Sequence, residues 1–310
     1  MQLLVTGGAG FIGSHLVRAL AAQGHAVRVL DNFSSGRAAN LADCPVEIIA
    51  GDVADWPTVR QAVTGCDLIF HQAALVSPPQ SIAQPDLNHR VNVTGAFHVF
   101  EAARQAGVRR VVYASSAAVY GRLPGLPKRE SDPTAPLTPY GAAKVMNETE
   151  AGVYNRLYGL ECMGLRYMNV YGPWQVPTSP YSGVLSIFGR AAVRGEGVTI
   201  WGDGEQTRDF VFVGDVVQVL LAVAAAPFTP ENAVFNVGRG VAVSLNQAAA
   251  WLSELVNRPI PITYAPERPG DIRHSCADLT RLVDKIGFRP NTDLKTGLAA
   301  TLAWLRAQEA

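Results

Sequence analysis

Short apolar runs dominate the first half of the chain, at residues 3–6, 26–30, 46–50, 67–70 and 110–114, and again at 163–167. Longer stretches with helical spacing lie between them, at 11–23, 56–62, 88–106 and 140–158. Strands of this kind separated by helices predict a parallel sheet covered on both faces, because both sides of each strand are apolar. The expected fold class is α/β, a doubly wound parallel sheet. Beyond residue 170 the pattern loosens, with Pro173, Pro177 and Pro180 in one loop. Helical spacing returns near 183–193, 246–256 and 276–286, which predicts a smaller mixed α/β lobe. The run 215–226 is apolar enough to pack back on the large sheet, and 294–305 is ordinarily amphipathic. The expected division is 1–169, with 205–230 returning to it, against 170–204 and most of 231–310.

Composition narrows the function classes. At 310 residues the chain can bury a full core. Its 26 basic and 26 acidic residues cancel, and no basic tract occurs, so a nucleic-acid or anionic-membrane role is not expected. No apolar run reaches the roughly 18 residues of a membrane span, and no charged leader precedes the first strand-like run. A cytoplasmic protein is the expectation. Cys44, Cys66, Cys162 and Cys276 are far apart with no C-x-x-C spacing, which suits reduced thiols and no metal site.

The first strand breaks into Gly7-Gly8-Ala9-Gly10-Phe11-Ile12-Gly13. A strand turning through glycines into a helix presents bare N–H groups to an anionic ligand, here with Gly7, Gly10 and Gly13 spaced G-x-x-G-x-x-G. Asp31-Asn32 end the second run. A carboxylate there accepts from both hydroxyls of an adenosine ribose and repels a 2′-phosphate, so NAD is expected rather than NADP. Asp52-Val53, closing the third strand, is placed to meet the adenine. Gln72-Ala73-Ala74, after the fourth, allows close approach to a pyrophosphate, while the neighbouring His71 reads as structural. Ser115-Ser116 stand at the end of the fifth strand, and Tyr140 and Lys144, four apart behind Pro139, share one helix face. A tyrosine near pKa ~10 is a weak base at neutral pH, so a lysine ammonium and a nicotinamide cation beside it would have to stabilise the phenolate. Lowering it by roughly 3 units corresponds to about 4 kcal/mol.

Together, Thr6 to Gly13, Ser116-Ala117-Ala118-Val119-Tyr120-Gly121 and Tyr140-Gly141-Ala142-Ala143-Lys144 strongly resemble the extended short-chain dehydrogenase/reductases. More narrowly, the chain resembles the nucleotide-sugar 4-epimerases. The likeness spans nearly the whole length, including Leu165 to Pro173, Gln206 to Val211 and Arg268-Pro269-Gly270-Asp271. It implies a Rossmann-type domain and a substrate-binding lobe, with NAD tightly held and Ser35 and Gly36 added to the cofactor contacts. It implies Tyr140 as the base for the sugar 4-OH, Ser116 as hydrogen-bond partner of that oxygen, and Lys144 holding the nicotinamide ribose and tuning Tyr140. The hydrogen at C4 would pass to NAD and return to the other face of a bound, rotated 4-keto sugar. Ser77, Asn169, Arg208, Arg268, Asp271 and Ser275 resemble the substrate contacts, the arginines suiting a diphosphate.

Differences within the family refine the expectation. Dehydratases and decarboxylases usually carry an acid shortly after the catalytic serine or threonine, whereas Ala117 and Ala118 cannot transfer a proton. C4 inversion of a UDP-hexose is therefore expected. Ser275 stands where a bulky tyrosine in relatives confines the pocket, so UDP-GlcNAc/UDP-GalNAc is expected beside UDP-Glc/UDP-Gal. The segment from Trp174 to Val184 resembles a loop of epimerases acting on UDP-GlcNAc, with Trp174 read either as core or as crevice wall. Ser77-Pro78-Pro79 adds a proline that could favour a uronic acid. UDP-glucuronate epimerisation, 4,6-dehydration or reduction, and a non-catalytic dinucleotide-binding role stand as alternatives. In relatives the helices corresponding to 88–106 and 140–158 pair across a twofold axis, which implies a homodimer.

Overall fold

The computed structural model describes residues 1–177, 183–267 and 271–309. Its strands are β1 (Gln2–Thr6), β2 (Ala26–Asp31), β3 (Val46–Ala50), β4 (Leu68–His71), β5 (Arg110–Ser116), β6 (Glu161–Tyr167), β7 (Asn169–Tyr171), β8 (Val198–Trp201), β9 (Thr207–Phe212), β10 (Val234–Val237), β11 (Ala242–Ser244) and β12 (Ile262–Ala265). The helices are α1 (Phe11–Ala22), α2 (Trp56–Val63), α3 (Pro78–Ala83), α4 (Pro85–His89), α5 (Gly95–Gln105), α6 (Pro139–Leu157), α7 (Val184–Arg194), α8 (Val213–Ala225), α9 (Leu245–Val256), α10 (Thr280–Ile286) and α11 (Leu294–Glu309).

Seven strands form one parallel sheet in the order β10-β6-β5-β4-β1-β2-β3. Because side chains alternate along a strand, each face has its own core. Leu3, Val5, Phe70 and Val112 meet Leu16, Val17, Val216, Leu220 and Val223 from α1 and α8. Leu4, Ile69 and Val111 meet Val59, Val99, Phe100 and Tyr154 from α2, α5 and α6. The strand order reverses between β1 and β4, where such sheets open a crevice at their carboxyl ends. The second lobe holds the small sheets β11-β9-β7 and β12-β8 over a separate core that includes Phe188, Leu252 and Leu298.

The doubly wound sheet and mixed lobe match the expected fold class, with informative differences. β10 belongs to the large sheet as its edge, although 231–310 reads in the sequence mainly as the second lobe. In the returning segment 205–230, α8 packs on the large sheet, but β9 pairs with β7 and β11. The helix expected over 88–106 is broken into α4, a π-helical turn at Arg90–Thr94 and α5. There the Asn92 side chain accepts from Leu75 N and donates to Leu75 O, both at 2.9 Å. A Cβ on Gly95 would stand 2.7 Å from Val53 Cγ2, so this turn runs close beneath the preceding loop. Of 276–286 only Thr280–Ile286 is helical. Before it the chain runs extended beside Lys128, whose N donates to Cys276 O and whose O accepts from Asp278 N, each at 2.8 Å. That backbone pairing outcompetes the local helical spacing.

Candidate active site

The glycine turn joins β1 to α1 at the crevice. Gly7 has φ +68°, a conformation that favours glycine. A Cβ on Gly13 would lie 2.1 Å from Gly7 O, so the first turn of α1 packs directly on the loop. Asp31, buried at the end of β2, accepts from Ala9 N at 2.9 Å with one oxygen and from Phe33 N at 2.8 Å with the other. Each oxygen keeps acceptor capacity for one ribose hydroxyl. Asn32 donates to Asp52 at 2.9 Å, tying the β2 end to the β3 end, and Asp52 also accepts from Ala54 N beside buried Val53. A Cβ on Gly36 would meet Ala9 at 2.9 Å and Asp31 Oδ1 at 3.0 Å, which brings the 35–36 loop over the turn. Across the turn lies Ala73, whose N a Cβ on Gly7 would meet at 2.7 Å and whose N–H donates to Thr6 Oγ1 at 3.2 Å, with Ala74 next in the chain. Gln72 accepts from Tyr167 OH at 2.9 Å, while its buried Nε2 has no protein partner. A bare glycine turn, a carboxylate with free acceptor capacity and a spare buried amide donor fit an adenine dinucleotide. His71 bonds Thr6 Oγ1 at 2.8 Å, and burial pushes its pKa down to about 3, so it is a neutral structural group as the sequence suggests.

Ser116, Tyr140 and Lys144 come together beside this cradle. Ser116 ends β5 and its Oγ accepts from Ala118 N at 3.1 Å, opening the short turn that holds Ala117. Thr138 caps α6 by accepting from Gly141 N at 3.2 Å, with Pro139 in the first turn, so Tyr140 starts the helix. A Cβ on Gly141 would lie 2.8 Å from Ala118 O, and this close approach brings α6 against the β5 end. The Ser116 hydroxyl stands close enough to the Tyr140 phenol to lower its pKa. Lys144 Nζ lies 5.7 Å from the Tyr140 ring centre and donates to Ala114 O at 2.9 Å. Burial raises the Tyr140 phenol, and Ser116 rather than Lys144 is the group that pulls it back down. The lysine, committed to a carbonyl, is itself pushed down to about 8 by burial.

The second lobe contributes over longer sequence separations. Asn169 starts β7 in an exposed position, in register with Phe210 of β9. Arg208 on β9 donates to Thr207 O at 2.9 Å and Arg273 O at 3.3 Å, and Asp271 opposes the lowering that burial imposes on it. Ser275 N donates to Thr207 O at 3.2 Å, and its buried Oγ has no protein partner. Arg268 lies outside the described residues, as do 178–182 of the proline-rich loop. Trp174 resolves as packing on α1, stacked 4.3 Å from His15 with Arg18 above its ring. Ser77 Oγ caps α3, accepting from Gln80 N at 3.1 Å, and Pro78 and Pro79 fill the first turn, where missing N–H groups cost nothing.

Several supporting residues escape motif reading. Asp209, fully buried, accepts from Arg239 N at 2.7 Å and from Gly240 N and Ala277 N at 3.0 Å. It fastens the segment leading to Ser275 onto β9. Glu148 and the buried Arg166 form a bidentate pair beneath the β5 end. The Asp209-Phe210 pair and an isolated Arg in a strand were the available signals, but neither identifies its partner.

Comparison with known proteins agrees with this geometry. Residues 3–238 match the profile of the NAD dependent epimerase/dehydratase family. A UDP-glucose 4-epimerase of Mycolicibacterium smegmatis is 40% identical over 99% of both chains. A UDP-N-acetylglucosamine 4-epimerase from Methanobrevibacter ruminantium, solved with UDP-N-acetylmuramic acid, is 37% identical with a TM-score of 0.95, covering 99% of this chain and 98% of that one. A Thermus thermophilus UDP-glucose 4-epimerase solved with NAD is 35% identical with a TM-score of 0.91, covering 99% of each chain. With the cradle fitted to NAD and likeness running end to end, the chain belongs to the NAD dependent epimerase/dehydratase family.

Proposed function

We propose that the protein inverts C4 of a UDP-hexose reversibly, acting on UDP-Glc/UDP-Gal and on UDP-GlcNAc/UDP-GalNAc. One observation carries the reading: the Ser116 hydroxyl and the Tyr140 phenol stand together at the β5 end, where Ser116 lowers the phenol's pKa, and the side chains following Ser116 are Ala117 and Ala118. A proton can be taken from a sugar hydroxyl there, but neither following residue can donate one for elimination. When bound, NAD supplies the two-electron acceptor that lets the C4 carbinol pass through a ketone. Tyr140 takes the 4-OH proton and returns it, Ser116 holds that oxygen, and the Lys144 ammonium holds the ribose side and tunes Tyr140. Gly7, Gly10, Phe11, Ile12, Gly13, Asp31, Asn32, Ser35, Gly36, Asp52, Val53, Gln72, Ala73 and Ala74 hold the cofactor tightly. Ser77, Asn169, Arg208, Arg268, Asp271 and Ser275 hold the substrate, with Ser275 leaving room for a 2-acetamido group.

A second copy of the chain is the proposed partner. Phe97 on α5 and Met146, Val153 and Tyr158 on and beside α6 surround an open apolar groove, and all four are exposed. Burying that face in an α5–α6 pairing removes it from water, so sedimentation is expected to report a dimer.

Purified protein incubated with each UDP-sugar, without added reductant, is expected to exchange C4 epimers with no net NADH. A stable keto or deoxy product refutes C4 inversion in favour of a dehydratase. Bound NAD with no turnover of any UDP-sugar refutes catalysis.

A further inference from the structure

Tyr140, Lys144 and Glu148 lie at successive i, i+4 positions of α6 and share one face. They engage three consecutive residues of β5. Lys144 donates to Ala114 O at 2.9 Å, Glu148 accepts from Ser115 Oγ at 2.5 Å, and the Tyr140 phenol stands near enough to Ser116 for that hydroxyl to lower its pKa. Glu148 also accepts from Arg166 Nε at 2.9 Å and Nη2 at 2.7 Å, and Arg166 is the register partner of Ser115 on β6. One carboxylate, its side chain 10% exposed, therefore ties the helix to two strand ends, at the residue directly before Ser116. The free arm of Arg166 donates to Tyr120 OH at 2.9 Å, and Tyr120 OH donates to Asn236 Oδ1 on β10 at 2.6 Å.

We propose that Glu148 is a positioning residue for the reaction: it fixes Ser115 and Arg166 so that the adjoining Ser116 stays on Tyr140, and it places a negative charge one helical turn from Lys144. The proposal rests on the C4-inversion reading. The groups facing this cluster are His71 from β4, Tyr113 from β5, and Arg166 and Tyr167 from β6. Burial keeps His71 neutral and raises both phenols, so Glu148, itself paired with Arg166, is the charged group that acts on Lys144. Lys144 is pushed down to about 8 by burial, and Glu148 opposes that shift. Without the carboxylate, burial acts on Lys144 unopposed and the ammonium is lost at a lower pH.

The test is Glu148→Gln, which keeps the shape and part of the hydrogen bonding, with kcat and KM measured from about pH 6 to about 9.5. The alkaline limb of kcat is expected to move down by roughly one pH unit, costing about fivefold at the old midpoint, with KM within about twofold. Glu148→Asp should restore the limb, since it returns the charge. Ser115→Ala keeps the charge, so it should lower kcat at every pH and leave the limb in place. If Glu148→Gln only reduces the folded or active fraction while the limb stays fixed, the role is structural and the proposal falls. If Glu148→Gln does not fold, the aspartate variant decides: a limb moved away from the wild-type position overturns the proposal. If wild type turns over no UDP-hexose, the reaction reading fails separately. The inference is then read from stability against pH. A depressed native lysine binds fewer protons than the unfolded chain, so wild-type stability rises from about pH 8 towards 10.5. That rise should begin lower in Glu148→Gln, and coincident onsets overturn the proposal.

Discussion

The two halves of the molecule position their functional groups by different means. In the large sheet, β1, β2, β4 and β5 deliver the glycine turn, Asp31, Ala73 and Ser116 to one edge, and parallel registry alone brings them together. In the second lobe, short strands leave placement to individual buried groups, such as Asp209 gathering three backbone N–H donors from two segments. Damage to the first half should therefore appear in chemistry and cofactor retention, and damage to the second in anchoring.

Variants test that contrast, beginning with the largest effect. Tyr140→Phe removes the proton-transferring hydroxyl, and kcat should fall roughly 10²–10⁴-fold with folding and NAD content unchanged. A loss of fold would show that the strand-end groups are structural as well. His71 probes the interior of the sheet by pH. Its pKa is held near about 3 in the folded protein against the usual 6.5, so the unfolded chain binds the extra proton between these values. Its contribution is fully present above about 6.5 and is lost as pH falls towards 3, by at most about 1.4 kcal/mol per pH unit. Denaturant titrations of His71→Asn should show that acid loss reduced, and parallel curves would reject it. Asp209→Ala strands three buried donors and should cost about 3 kcal/mol in urea unfolding. NAD content of the folded fraction should survive, and an early loss of NAD would blur the proposed division. Gly13→Ala must displace the loop at Gly7 O. NAD affinity should drop on the order of tenfold, about 1.4 kcal/mol, more than global stability falls. The reverse ranking would make the turn a packing device.

The same contrast explains what the sequence made legible. β1 to β6 are short apolar runs, and their boundaries in the structure fall within a residue or two of the pattern. The glycine turn, Asp31, Ser116, Tyr140 and Lys144 were visible because each depends on a local motif. β10 was missed as a sheet strand because its partner, β6, is distant in sequence and periodicity does not name partners. Lys128 was likewise silent, though its backbone holds residues 276–278 extended against their helical spacing. The Lys144–Tyr140 coupling was expected on spacing, whereas rotamer and hydrogen bonding aim the ammonium at Ala114 O. Asp209 sits in a recognised block, but its task depends on three N–H groups that only the folded chain brings together.

The late arrival of β10 has a consequence for biosynthesis. A nascent chain that has emerged only as far as residue 230 already contains β1 to β6, yet one flank of β6 has no neighbour until Val234–Val237 follows. An open strand flank is a template for pairing with other chains. Ribosome-bound intermediates halted just before residue 234 are thus exposed to off-pathway association along this flank of β6, and release of a few further residues closes it.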